Sequence, residues 1–181
     1  SRGVFDDAQT QSFVRELQRT PEVMKKVLER RRDIHVVAKK VLGAKDLFMI
    51  GRGLDYSILL EGSLKLKEVS YIRDMGRRQI LHMVQDTPVV ATVTQEKLMS
   101  KELSNIKEVK SRGADVVVFI KESIAGDLAK EYEIFTLPDM QDEFMVLPAS
   151  VALQLLAYYV SSDKGFDVDK PRNLAKVVTV E

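Results

Sequence analysis

The residues best placed to do chemistry lie on one predicted helix, over residues 57–69. Glu61, Lys65 and Glu68 fall at i, i+4 and i+7 of that helix and therefore share one face. A carboxylate beside an ammonium group can serve in proton transfer, but the same spacing is typical of a solvent-exposed ion-pair ladder. By themselves, the residue types favour the ion-pair ladder and leave a reactive site as the alternative.

A second candidate is the C-terminal stretch "DVDKPRNLAKVVTVE". Chain ends usually fray and are usually polar. In this one, apolar residues from Leu174 to Val180 surround a single lysine, Lys176. The stretch either packs against the protein for stability alone or delivers the Lys176 amine to a site.

The elements that must position these residues alternate between strands and helices. After two predicted helices, over 6–18 and from Thr20 and Pro21 to Gly43, the hydrophobic period changes. Strands are predicted at Leu47–Ile50, 87–95, 115–120 and 132–138, and helices over 57–69, 97–112 and from Pro148. This alternation predicts an α/β fold with an open parallel sheet flanked by helices. The last helix is apolar nearly all round, which predicts burial on more than one side.

Open parallel sheets bind ligands at the carboxyl ends of their strands. Two strand-to-helix turns are predicted there: Gly51-Arg52-Gly53 and the stretch "TVTQEK" from Thr92 to Lys97. The glycines could let a phosphate approach the backbone, although a tight turn is the commoner reason for this pattern. The second turn has hydroxyl groups but no glycine, which makes it a poor phosphate cradle.

Composition excludes several classes of function. The 181 residues carry 28 basic and 27 acidic side chains, so no basic surface for nucleic acid or an anionic membrane is expected. The absence of cysteine excludes a disulfide framework, a thiolate metal site and a thiol nucleophile, and two histidines cannot form an all-histidine metal site. No apolar run approaches the roughly 20 residues of a membrane span, and a cytoplasmic location is expected.

Four stretches together resemble one family. "GRGLDYSILLEGSLKLKEVSYI", "SNIKEVKSRGADVVVF", "LQLLAYYVSSDKGFDVDKPRNLAK" and "VTVE" are similar, in order, to the second sugar-isomerase (SIS) subdomain of the glucosamine-6-phosphate synthases. The resemblance runs from the helices over 3–42 to the C-terminus. It implies a SIS-type, flavodoxin-like sheet over 44–181, including a tail over 166–181, preceded by a helical extension over 1–43.

The resemblance also implies a chemistry. Enzymes of this family carry a glutaminase domain and two SIS subdomains, and they use glutamine-derived ammonia to convert fructose 6-phosphate into glucosamine 6-phosphate without a metal or redox cofactor. By analogy, Glu68 moves a proton between sugar carbons, Lys65 lies nearby and Lys176 contacts the sugar carbonyl. A base beside a carbonyl and an amine that stabilises the developing enolate suit this isomerisation. The candidate substrate-binding residues are Ala175, Arg172, Gly51 and Gly53.

The sequence departs from the family pattern in two respects. The glutaminase domain and the first SIS subdomain, with its serine- and threonine-rich phosphate loops, are absent from this chain. The segment 73–85, "RDMGRRQILHMVQ", replaces a family loop that carries a ring-opening histidine; His82 stands near that place, and Arg73, Arg77 and Arg78 are extra positive charges.

These departures predict little or no turnover by the isolated chain. The expected partners are a sugar phosphate, the missing glutaminase and first SIS domains, and further copies of the chain in a homo-oligomer. Two alternatives remain: a stand-alone SIS sugar-phosphate isomerase and a non-catalytic sugar-phosphate-binding domain.

Overall fold

The computed structural model of the protein describes residues 5–74 and 85–171. Within them, five strands form one parallel sheet in the order β2-β1-β3-β4-β5. The strands are β1 Asp46–Ile50, β2 Arg73–Asp74, β3 Pro88–Val93, β4 Asp115–Lys121 and β5 Glu133–Leu137. The helices are α1 Asp7–Glu29, α2 Arg31–Val41, α3 Leu54–Ser70, α4 Met99–Ser111, α5 Glu122–Ala125 and α6 Val146–Asp163, with short 3-10 turns at 96–98, 126–130 and 142–144. The prediction of an α/β open parallel sheet is confirmed, in flavodoxin-like order.

The sheet is buried on both faces, as its continuous apolar strands require. One core cluster joins side chains such as Val90, Val117 and Phe119 to α1, α2, α3 and α6. The second joins the opposite-facing side chains, such as Val89 and Val118, to α4 and the segment around α5. The chain is therefore a three-layer structure, and the helices of the predicted extension contribute directly to the first cluster. A domain boundary at residue 43 stays a prediction.

The N-terminal helices differ from the prediction. A helix start was expected at Thr20 and Pro21, yet α1 continues unbroken through both. Thr20 does not cap a helix; its hydroxyl donates to the carbonyl of Glu16 one turn earlier, at 3.2 Å. The break comes instead at Arg30, whose guanidinium donates to the carbonyl oxygen of Thr136 in β5 at 2.7 Å. A tertiary contact thus sets the helix boundary that the proline was expected to set.

Other boundaries shift by a few residues. The helix predicted over 57–69 begins three residues earlier, at Leu54, and α6 begins at Val146 with Pro148 in its first turn. The two-residue edge strand β2 was not predicted. The segment "QILHMV", whose weak alternation of apolar and polar residues is compatible with a strand, lies outside the described residues.

Helix α6, with the turn before it, is the stretch Asp142–Asp163, which has the length and apolar composition of a membrane span. Against the sequence expectation, an apolar stretch of that length therefore exists. Its environment explains the composition, because α6 packs against α1, α2 and α3 and its buried residues belong to the first core cluster. The helix is the central core helix of this layer, buried on more than one side as predicted.

Candidate functional site

Lys65 and Glu68 form a close pair on the last two turns of α3. The Lys65 ammonium donates to the Glu68 carboxylate at 3.0 Å and lies 3.6 Å from Glu61. The Glu68 side chain is 19% exposed and that of Lys65 is 37% exposed, so the pair is open to solvent on one side. The hydrogen bond to Glu68, together with the charges of both carboxylates, raises the pKa of Lys65. The predicted shared face is therefore real, and it holds a half-buried carboxylate beside a firmly protonated amine.

A small cavity of about 110 Å³ adjoins this pair, between α3 and α6. Its lining includes Lys65 and Val69 from α3, Ala157 and Tyr158 from α6, and Val168 from the predicted tail. The first residues of the tail therefore lie next to the α3 pair. The surface of this cavity is apolar, and Glu68 is not among the residues that line it.

Gly51 and Gly53 lie at the opposite end of α3. Fifteen residues of helix separate Gly53 from Glu68, which corresponds to about 22 Å, so one small sugar phosphate cannot contact both places. Each glycine has a packing reason to be there: a Cβ at Gly51 would come within 2.6 Å of Leu59, and one at Gly53 would come within 2.8 Å of Leu98. Gly53 also has φ +58, which favours glycine. Their role in substrate binding stays a prediction.

The crevice at the point where the strand order reverses, between β1 and β3, is occupied by an aspartate. Asp55, which is buried, accepts hydrogen bonds from the backbone N–H of Thr94 at 2.9 Å and from its hydroxyl at 2.5 Å. Burial raises the pKa of Asp55 to about 6; hydrogen bonds from Thr94 and the Gln95 N–H oppose the shift, and the charge of Asp142 adds to it. The N–H groups that would face a ligand here already bind a carboxylate of the chain.

A second carboxylate occupies the neighbouring position. Asp142 accepts from the Glu96 backbone N–H and from the Lys121 ammonium, both at 3.1 Å. Lys121, almost fully buried at the end of β4, also donates to the Glu96 carboxylate at 2.9 Å. Burial by itself would lower the pKa of Lys121, but the hydrogen bonds to the two carboxylates outweigh it and raise the pKa. These groups line a cavity of about 640 Å³ at this sheet edge.

Sequence reasoning missed this crevice cluster of Asp55, Lys121 and Asp142. It noted the hydroxyl groups of "TVTQEK" but assigned no partner to them. An acidic residue in the first turn of a helix is a common feature, and nothing in its spacing indicates a bond to a turn 39 residues away. Thr94, Gln95 and Glu96 direct their backbone N–H groups to Asp55 and Asp142, so these three donors are not available to a phosphate, whereas the buried Nε2 of Gln95 has no hydrogen-bond partner among the described residues.

Several predicted residues fall outside the described ranges, namely Arg172, Ala175, Lys176, His82, Arg77 and Arg78. Arg73 is described, and its guanidinium pairs with Asp46 at 2.8 and 3.3 Å across the β1–β2 edge. Arg52 pairs with Glu102 and Asn105 of α4. In residues 5–74 and 85–171, no three histidine or acidic side chains come together in a way that could hold a metal ion.

No family model matches the chain. It is 42% identical over 190 residues to the isomerizing glutamine–fructose-6-phosphate aminotransferase of Caldanaerobacter subterraneus subsp. tengcongensis, and 41% identical over 188 residues to that of Clostridium tetani. Each match covers 99% of this chain and 31% of the relative. The chain therefore spans about a third of the length of these relatives.

Solved structures agree with this relationship. The C-terminal domain of the glucosamine–fructose-6-phosphate aminotransferase of Francisella tularensis superposes with a TM-score of 0.80 at 29% identity, over 91% of this chain and 48% of that one. A Clostridium novyi protein, described as a putative tagatose-6-phosphate ketose/aldose isomerase, shares the fold with a TM-score of 0.75 at 17% identity, over 92% of this chain and 47% of that one. The chain belongs to the family of the isomerizing glutamine–fructose-6-phosphate aminotransferases, in which it corresponds to a SIS subdomain.

Proposed function

We propose that the chain is the second SIS subdomain of a glucosamine-6-phosphate synthase and that it supplies Glu68, Lys65 and Lys176 to a fructose 6-phosphate site. In this role, Glu68 transfers the proton between adjacent sugar carbons while an amine stabilises the developing oxyanion. The location would be cytoplasmic, where sugar phosphates are handled. The observation that carries the proposal is the Lys65–Glu68 pair, a half-buried carboxylate held at 3.0 Å from an ammonium group on an open face of α3.

The position of the tail supports a role for Lys176. Val168 lines the same small cavity as Lys65. Eight residues separate Val168 from Lys176, and an extended chain of that length reaches at most about 29 Å. The Lys176 amine is therefore within reach of the α3 pair, and Ala175 and Arg172 come with it as contacts for the sugar.

The phosphate anchor is proposed to come from another domain. The crevice of this chain binds its own carboxylates Asp55 and Asp142 where a phosphate would need free N–H groups. Along α3, the exposed side chains of Tyr56, Leu60 and Leu64 form an apolar stripe beside Lys65. A first SIS subdomain would cover this stripe and bring its phosphate loops to Glu68.

A domain replacement tests the proposal. The matching segment of the Caldanaerobacter aminotransferase is replaced by this chain, and glucosamine 6-phosphate formation from fructose 6-phosphate and glutamine is measured for the chimera and for the isolated chain. We expect the chimera to turn over and the isolated chain to show little or no turnover with ammonia, because it lacks the phosphate anchor.

The alternatives give different results. Robust isomerisation by the isolated chain would identify a stand-alone isomerase and overturn the proposal. A folded chimera without turnover, combined with fructose 6-phosphate binding by the isolated chain, would indicate a non-catalytic binding domain. In the active chimera, the E68Q variant must lose turnover.

A further inference from the structure

The C-terminal end of α3 is held by side chains of another helix. The last carbonyl groups of a helix have no intrahelical partner and must find one elsewhere. Ser161 of α6, which is fully buried, donates its hydroxyl to the Val69 carbonyl at 2.8 Å. The Lys164 ammonium donates to the next carbonyl, that of Ser70, at 3.2 Å. Two consecutive terminal carbonyls of α3 are thus bound from one side.

The Lys164 ammonium group is partly removed from water when it makes this bond. Burial lowers the pKa of Lys164, because the ammonium group leaves bulk water to reach the helix end. A cation at a helix C-terminus is favourable, since the carbonyl groups there carry the negative end of the helix dipole. Lys164 stands at the C-terminal boundary of α6, but its ammonium donates to the end of α3.

Helix α6 ends by a separate arrangement. The Gly165 N–H donates to the Ser162 carbonyl and the Phe166 N–H to the Ser161 carbonyl, with Gly165 at φ +73. This is the paired hydrogen-bond pattern of a Schellman motif. It fixes the direction in which the chain leaves α6, and it leaves the Ser161 hydroxyl and the Lys164 amine available for α3.

The same turn reaches the residue after α3. Tyr71 has φ +60, a left-handed conformation that ends the helix without a glycine. The Phe166 ring packs edge-on against the Tyr71 ring, with their centroids 5.1 Å apart. Ser161, Lys164 and Phe166 together form an α3 clamp that engages three consecutive residues, Val69, Ser70 and Tyr71.

The α3 clamp lies between the two parts of the proposed site. Glu68 directly precedes the clamped residues, and Phe166 is the first residue of the predicted tail that carries Lys176. We propose that Lys164 and Ser161 are positioning residues that fix the last turn of α3, and hence the Glu68 carboxylate, relative to the start of the tail. This inference rests on the proposed function, because the α3 clamp affects catalysis only if Glu68 is the base.

The experiment compares K164M, K164R and S161A in the chimera described above, with K67M as the control. Lys67 is an exposed lysine on the same end of α3. We expect K164M to lower kcat at least tenfold with the KM for fructose 6-phosphate within twofold of the unsubstituted chimera. K164R should recover most of the loss because it restores a donor to the Ser70 carbonyl, and K67M should behave as the unsubstituted chimera. S161A should lower kcat in the same direction.

Thermal unfolding of each variant separates positioning from folding: if K164M does not fold, the kcat values of S161A and K164R decide the inference. A kcat within twofold for both K164M and S161A, or a K164R variant no better than a folded K164M, would overturn the inference. The E68Q chimera separates the two levels of the argument. Full turnover by E68Q would overturn the proposed function and, with it, the role of the α3 clamp. Loss of turnover by E68Q, together with unchanged kcat for K164M and S161A, would overturn only the clamp proposal.

Discussion

The buried carboxylate of Asp55 accepts hydrogen bonds from both the backbone N–H and the hydroxyl of Thr94, and so joins the first turn of α3 to the carboxyl end of β3. This contact closes the sheet edge at the point where the strand order reverses. It also gives the domain a titrating group in the acidic range, because burial raises the pKa of Asp55 to about 6 from 3.8.

Replacing Asp55 with asparagine should change how stability depends on pH. A group with a raised folded-state pKa stabilises the fold fully below its unfolded pKa and loses that contribution as the pH rises through its folded pKa. Between pH 4 and 7 the wild-type protein should therefore lose about 2 kcal/mol relative to D55N, because this range covers most of a shift of roughly two pKa units. Urea unfolding of both proteins across this range measures the difference. D127N, at an exposed aspartate, is the control, and a pH-independent difference for D55N would contradict the prediction.

Replacing Lys121 with methionine should destabilise the crevice. The substitution removes the ammonium that donates to Glu96 and Asp142 at 2.9 and 3.1 Å. Because the two carboxylates lose this hydrogen-bond donor and its positive charge, the unfolding free energy should fall by about 1–3 kcal/mol. Chemical denaturation is the measurement, and K130M, which removes an exposed lysine paired with Asp127, should change stability by less than about 0.5 kcal/mol. Equal effects of the two substitutions would show that the Lys121 contacts contribute little.

Replacing Gly53 with alanine should lower stability irrespective of any ligand. Its backbone has φ +58 and ψ −127, and a Cβ there would come within 2.8 Å of Leu98 and 2.9 Å of Gln95. The backbone strain by itself costs about 1–3 kcal/mol. Thermal unfolding measures the loss, with G43A as the matched control because a Cβ at Gly43 meets no atom within 4 Å. An unchanged melting temperature would mean that the turn is not held in this conformation.

Replacing Glu68 with glutamine, or Lys176 with alanine, should separate catalysis from binding in the chimera. E68Q keeps the size and a hydrogen-bonding group but cannot accept the proton, so turnover should fall at least 100-fold with little change in affinity for fructose 6-phosphate. K176A should weaken substrate affinity as well, because the amine contacts the sugar carbonyl in the proposal. E61Q, next to Lys65 on the same face, is the control. E68Q turnover equal to that of E61Q would exclude Glu68 as the base.

Much of the fold could be predicted from local pattern. The apolar runs of β1 and β4 and the apolar composition of α6 predicted strands and a core helix because such segments are stable only when buried on both sides. The boundary between α1 and α2 could not be predicted in this way, because it depends on a contact between Arg30 and Thr136, which are distant in the chain. Pro21 misled the prediction: a proline disfavours a helix interior because it removes an N–H and clashes with the preceding turn, yet α1 continues through it.

The sequence by itself determined the family, the parallel sheet and the shared face of Glu61, Lys65 and Glu68, since helical spacing and strand hydrophobicity are local properties. Only the tertiary structure filled the crevice with Asp55, Asp142 and Lys121. It also brought Ser161 and Lys164 to the end of α3. These relationships join residues far apart in the chain, and long-range contacts of this kind follow from packing rather than from spacing.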